Sequence, residues 1–393
     1  MPPMTMASLQ PVNLDYAAST PMRPEAVTAQ AAYDASEIAG ANPNSLHSLG
    51  RAAAVKLEGC RRSVARSLGK RVRPSEVIFT GGGTEANVLA LLGIAEGMRE
   101  ADRTRTRVIV SAIEHDSILD NLPALRAAGF TTDIVKPCRE GFIEPEMLAA
   151  CMGPDVALVS IMLANNETGA VQPIRELATI AHAHGACFHT DAVQGWLHLP
   201  FDVDELGVDA LSLAGHKVGA PVGIGALYLR TRRSLRPQSQ GGGQERGLRP
   251  GTQDLRAIVA LAAVADTLAP HVADERVRVQ AAADRLMERI VTHPHITPTL
   301  GSDWRRVDRL PGILNVCVDN RDSEELILQL DGRGFEVSAA SACSSGNLGA
   351  SHVLTAMGIP RKLALGSLRI SFDDRTDPTD LDRFADALLE VVS

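Results

Sequence analysis

Six short runs rich in β-branched and apolar residues dominate the first part of the chain. They are VIFT (Val77–Thr80), RVIVS (Arg107–Ser111), VALVSIML (Val156–Leu163), CFHT (Cys187–Thr190), DALSL (Asp209–Leu213) and GALYL (Gly225–Leu229). Helix-period segments separate several of them, such as PIRELATIAHAHG, which opens on Pro173 and closes on Gly185. Strands alternating with helices predict an α/β fold with a mainly parallel sheet. With 393 residues, 45% of them hydrophobic, the chain has enough apolar surface for a full core.

Beyond GGGQERGLRPGTQ the pattern changes. Two long helical stretches, Asp254–Val272 and Ala273–His293, lead to a strand (Gly312–Val318), a helix (Ser323–Asp331) and a second strand (Phe335–Ala340). An irregular loop around Cys343 follows, then a helix near His352–Met357, a strand (Ser367–Phe372) and a closing helix. This reads as a large domain over 14–261 and a smaller α/β domain over 262–393, with residues 1–13 a flexible lead-in.

The net charge of -8 comes from acids and bases scattered along the chain, so neither a nucleic-acid groove nor an anionic membrane surface is expected as a partner. The opening residues lack a cationic start followed by an apolar stretch, and no apolar run is expected to reach the roughly 18 residues of a membrane span, which predicts a cytoplasmic protein. Cys60, Cys138, Cys151, Cys187, Cys317 and Cys343 form no CxxC pair, so reduced thiols are expected rather than disulfides or a metal site.

The chemistry begins at VIFTGGGTEANVLALL, where a strand, three glycines and Thr84 open an apolar helix. Backbone N–H groups at such a helix start can face an anion, although a glycine-rich turn also serves simply to make a tight corner. The segment lacks GxGxxG spacing and a GKS or GKT ending, which disfavours a dinucleotide or a nucleoside triphosphate. Asp191 follows a buried run, where open α/β sheets bind ligands, but an Asp there is also a common helix cap. Lys217 lies in AGHKVGA, just after DALSL. Of 39 basic residues only five are lysines, and the other four sit in polar surroundings. Arginine could supply a charge at 217; only an amine can lose its proton when desolvated and condense with an aldehyde. A phosphate cradle, a carboxylate and an amine on successive strand ends are the three anchors that pyridoxal 5'-phosphate needs.

NLDYAASTP, NPNSLHSLGR, FTGGGTEAN, EHDSILD, ANNETGAVQPI, HTDAVQ, AGHKVGAPVGIGALY, GGGQERGLRPGT, SAASACSSG, ASHVLTAMG and LRISF occur in the order found in the pyridoxal-phosphate-dependent cysteine desulfurases. From about Asn13 to the C-terminus the chain resembles that family, in the class V aminotransferase group, and most nearly its subgroup with a long cysteine-bearing loop. The resemblance implies an aspartate-aminotransferase-like fold (fold type I), a homodimer, and conversion of L-cysteine to L-alanine with transfer of sulfur. It implies that Lys217 binds the cofactor aldehyde and then shuttles protons at the substrate α-carbon. His115 would stack on the ring and act as acid or base, Asp191 would pair with the ring nitrogen, and Gln194 and Asn166 would bond the ring-oxygen side. Gly83, Thr84 and His216 would hold the phosphate, with Thr252 reaching across from a partner subunit. Arg369 and Asn166 would take the substrate carboxylate. Cys343, in a segment of small residues suited to a mobile loop, would attack the substrate sulfur and carry it as a persulfide to an acceptor such as an iron–sulfur scaffold protein.

The chain departs from the family pattern at several positions. Ala214 stands where many relatives carry a hydroxyl, which removes one phosphate hydrogen bond, and Ala340 stands where a glycine usually precedes Ser-Ala-Cys. APVG replaces the common Gly-Pro-Lys-Gly turn, and no C-terminal extension for a scaffold protein is seen. Two other readings stay open from the residues: another cofactor-dependent lyase or aminotransferase that does not use Cys343, and a binding protein that keeps only the fold.

Overall fold

The computed structural model describes residues 11–339 and 349–393. Its strands, in chain order, are β1 (Val12–Asn13), β2 (Val77–Thr80), β3 (Arg107–Ser111), β4 (Thr131–Val135), β5 (Val156–Ser160), β6 (Cys187–Asp191), β7 (Ala210–Ala214), β8 (Gly225–Leu229), β9 (Ile296–Pro298), β10 (Ile313–Val318), β11 (Phe335–Glu336) and β12 (Ser367–Ser371). Seven of them make one sheet in the order β2-β8-β7-β6-β5-β3-β4, parallel except where β8 runs antiparallel to both neighbours. The chain is thus an α/β protein of the expected class.

Alternation along the strands explains why every run is apolar. Val108, Val110, Leu158, Cys187 and Leu227 pack on one side against the helix Gly83–Ala101, while Ile109, Val159, Phe188 and Tyr228 pack on the other against Ser48–Leu68 and Leu255–Leu268. Both faces of the sheet are covered, as a parallel sheet requires. A second core joins β10, β12 and the helices Val272–Ile290 and Pro378–Val392 to Val12 and Leu14 from the start of the chain. Its sheet is antiparallel, β12-β10-β9, and beside it β1 pairs in parallel with β11.

Three local expectations are corrected. The two helical stretches after residue 254 meet at a 3-10 turn, Ala269–His271, because Pro270 has no N–H to continue the first helix. Together Leu255–Ile290 is long and apolar enough to cross a membrane by length and composition. That departs from the expected absence of such a run, but Ile258, Leu261 and Ala265 are buried in the first core, so the stretch serves as a core helix. The strand expected over Phe335–Ala340 stops at Glu336, after which Ser338 makes a single antiparallel bridge to Arg369.

Candidate active site

The carboxyl ends of five strands carry most of the residues singled out above. β2 passes through Gly81 and Gly82 into the helix Gly83–Ala101. β3 is followed by His115, β5 by Asn166 and β7 by His216 and Lys217, while β6 ends on Asp191 itself. Ligands of open α/β sheets bind in this crevice because the loops there diverge and helix N-termini face it.

The Lys217 amine donates hydrogen bonds to the carbonyls of Ala17 (2.7 Å) and Ala18 (2.9 Å). Gln194 Nε2 donates to the same Ala17 oxygen at 3.0 Å, so amine and amide meet at one atom. The segment that supplies these carbonyls is strapped down on both sides. Thr20 donates from its backbone to the His216 carbonyl (2.8 Å) and from its hydroxyl to the Lys217 carbonyl (2.9 Å), and Ala17 N donates to Ser371 Oγ (2.9 Å) on β12. His216 Nδ1 lies 3.4 Å from Ser19 Oγ. Burial, helped by the charge of Lys217, pushes its pKa down to about 4, so His216 is a neutral hydrogen-bonding group at neutral pH.

Asp191 is buried at 5% exposure. Its Oδ1 accepts from Val193 N (2.9 Å) and its Oδ2 from Asn87 Nδ2 (2.6 Å). Burial raises its pKa against the pull of these bonds and of the charge on Lys217. Neither oxygen has a cationic hydrogen-bond partner among the described residues. His115 caps the short helix Asp116–Leu119, its Nδ1 accepting from Ser117 N at 3.0 Å and lying 2.9 Å from Ser117 Oγ. Beside it Glu114 is fully buried, bonded to the Ser111 hydroxyl and to Met162 N (2.9 Å). Burial lifts its pKa to about 8, which keeps it protonated at neutral pH.

Arg369, on β12, reaches the same place from the second core at 2% exposure. Its Nη2 pairs with Asp15 Oδ1 at 2.8 Å and its Nη1 donates to the Asn166 carbonyl at 3.0 Å, while its buried Nε has no partner among the described residues. Thr252 is exposed, and among the described residues no hydrogen bond joins it to this group. Cys343 lies outside the described residues. The residues flanking its segment stand at the site, since Arg369 N donates to Ser338 O (2.8 Å) and His352 Nε2 donates to the Glu114 carbonyl (3.0 Å). Burial raises the thiol pKa of Cys60, Cys138 and Cys317, and that of Cys187 to about 12, so these four are poor nucleophiles at neutral pH.

Reading the sequence for site residues missed Asp15, the carbonyls of Ala17 and Ala18, Asn87, Glu114 and Ser117. Only Asn87 carried a signal of its own, as a polar residue among Ala86, Leu89 and Ala90 on the apolar face of a helix.

A family model described as aminotransferase class-V matches residues 12–384. The chain belongs to the class-V aminotransferase family. It is 36% identical over 384 residues to cysteine desulfurase IscS of Dictyoglomus turgidum, covering 97% of this chain and 94% of that protein. It is 38% identical to an IscS-like cysteine desulfurase of Mycobacterium tuberculosis, covering 96% and 94%. Among solved structures it resembles the NifS-like protein from Rickettsia africae, with a TM-score of 0.85 and 28% identity over 97% of this chain and 99% of that one.

Class-V aminotransferases depend on pyridoxal 5'-phosphate, and the residues present fit it. Asp191 is a buried carboxylate with no cationic hydrogen-bond partner among the described residues, and a protonated ring nitrogen would supply one. Gly82 has φ +153°, and a Cβ built on it meets nothing within 4 Å, so the space over the turn is open. At Gly83 a Cβ would come within 2.7 Å of Val193 Cγ2, which ties the turn closely to the loop after Asp191. The first N–H groups of the 19-residue helix Gly83–Ala101 lack intrahelical acceptors and can receive a phosphate.

Proposed function

We propose that the chain is a cysteine desulfurase that converts L-cysteine to L-alanine and transfers the sulfur to Cys343 as a persulfide. The observation that carries this reading is the meeting of Lys217 and Gln194 on the Ala17 carbonyl, beside Asp191 and within a strap that also pairs Asp15 with Arg369. When bound, pyridoxal phosphate would supply an aldehyde for the substrate amine and an electron-poor ring that loosens bonds at the α-carbon. Asp191 keeps the ring nitrogen protonated. Gly83, Thr84 and the neutral His216 hold the phosphate, with Thr252 contributed by a second subunit, and Gln194 and Asn166 bond the ring-oxygen side.

Lys217 takes the α-proton and later returns one, a role its position between two strap carbonyls suits because they can orient the amine in either state. Arg369, preset by Asp15 and the Asn166 carbonyl, receives the substrate carboxylate with its remaining N–H groups. The Cys343 thiolate attacks the substrate thiol sulfur, the carbon–sulfur bond breaks, and the carbon gains a proton to become the methyl group of alanine. A sulfur-acceptor protein, such as an iron–sulfur scaffold, then removes the sulfur.

We also propose a cytoplasmic homodimer whose domains divide near residue 262. The exposed Thr252 and the solvent-facing Leu46, Leu49 and Val55 support a second copy on that side, and a core around the second sheet, apart from those on the two faces of the large sheet, supports two domains. The test is alanine production from cysteine by wild type and two variants. Lys217→Ala should lose both the yellow cofactor band and the product. Cys343→Ala should keep the band and lose alanine and sulfide. Full turnover by Cys343→Ala would instead point to a lyase or aminotransferase that does not use this thiol.

A further inference from the structure

Asn87 occupies the one position on the buried face of the helix Gly83–Ala101 where a polar side chain points at the site, and at 1% exposure it needs partners to offset its desolvation. Its Nδ2 lies 2.6 Å from Asp191 Oδ2 and 2.9 Å from Ser117 Oγ. The amide direction follows from the carboxylate, because the reverse orientation would set two oxygens against each other. Both amide hydrogens are then committed, one to Asp191 and one to Ser117. Ser117 Oγ accepts from Asn87 and so has its own hydrogen to donate to His115 Nδ1, 2.9 Å away. Ser117 N, which can only donate, also meets Nδ1 at 3.0 Å. Polarity is therefore fixed along the whole path, with the imidazole lone pair at Nδ1 and its proton on Nε2.

We propose that Asn87 is a positioning residue that orients the Asp191 carboxylate and, through Ser117, couples it to a neutral His115 that presents Nε2–H to the reactants. In this tautomer His115 is a hydrogen-bond donor. To act as a base through Nε2 it would have to move its proton to Nδ1 and break both bonds to Ser117, and a doubly protonated ring would meet the Ser117 N–H head-on. Proton movement at the substrate then falls to Lys217. The role at the ring rests on the reading of Asp191 and His115 given above, whereas the hydrogen-bond path and the tautomer do not.

Nitrogen-15 NMR of histidine side chains in the full-length protein, with and without pyridoxal phosphate, tests this once the His115 signal is assigned by its loss in His115→Gln. Wild type should show a hydrogen-bonded, unprotonated Nδ1 and a protonated Nε2. Asn87→Leu should shift the Nδ1 resonance and weaken cofactor binding by about tenfold or more, as expected for the loss of a charge-assisted hydrogen bond. Ser117→Ala should shift the Nδ1 resonance and leave cofactor affinity within about twofold, because the Asn87–Asp191 bond survives. A proton on Nδ1 in wild type, or an Asn87→Leu protein with unchanged His115 signal and unchanged affinity, overturns the proposal. Should Asn87→Leu not fold, the wild-type tautomer and the Ser117→Ala comparison still decide. Failure of wild type to bind the cofactor at all would refute the functional reading, and the tautomer in the unliganded protein would still be read separately.

Discussion

At the scale of single residues, Ala214 tests the phosphate cradle. A Cβ placed on Gly83 would lie 3.2 Å from the Ala214 methyl, so residue 214 borders the glycine turn, and it is 1% exposed. Ala214→Ser adds a hydroxyl there and should tighten cofactor binding to the unliganded protein by several-fold, in keeping with a net hydrogen-bond contribution of about 1 kcal/mol. Unchanged or weaker binding in a fluorescence titration would mean that position 214 does not face the phosphate. Residues with a chemical singularity of their own were legible in the sequence. Lys217 stood out as a lysine in a chain of arginines, and Asp191 as an acid directly after a buried run. Ser117 and Asp15 were not, because what each does depends on partners 30 and 354 positions away that only the fold brings together.

At the scale of elements, the three central strands β5, β6 and β7 are stitched beneath the site by His189, whose ring lies 2.8 Å from Ser160 Oγ and 2.9 Å from Ser212 Oγ. Burial pushes the His189 pKa down to about 3. An unfolded histidine binds its proton below about pH 6.5, while this one stays neutral until about pH 3, so between those values the unfolded state holds the extra proton. Stability should therefore fall as the pH drops through that window, by up to about 1.4 kcal/mol per pH unit from this group. Melting temperatures of the unliganded protein between pH 6.5 and 4 should decline less steeply in His189→Gln than in wild type; parallel slopes would remove His189 as a cause. The central strands were legible because burial on both faces leaves an unbroken apolar run. β4 was not, since as an edge strand it exposes Thr131 and Ile134, and β1 and β9 run for only two and three residues.

At the scale of the whole molecule, the two cores are joined next to the site by a buried ion-pair cluster. Arg23, at 6% exposure, pairs with Asp373 at 3.1 Å and also with Asp374, both just beyond β12, while its carbonyl accepts from Val27 N in the helix Pro24–Asp34 and its N–H donates to the Gly219 carbonyl. These groups border a small cavity of about 50 Å³ that also touches Tyr16, His198 and Lys217. Arg23→Leu takes one cation from Asp373, which keeps Arg375 at 2.8 Å, and takes from Asp374 its ion-pair partner, and should lower the melting temperature of the loaded enzyme by a few degrees. An unchanged melting temperature would show that the two cores are held together elsewhere. The central claim is that one amine, Lys217, and one thiol, Cys343, act on the same cysteine. Its most direct measurement is a single turnover with L-cysteine in the absence of any reductant, followed by mass spectrometry of the peptide that carries residue 343. The account predicts one added sulfur atom on Cys343, with alanine in equal amount and neither product in Lys217→Ala. Alanine formed with no sulfur on Cys343 would contradict it.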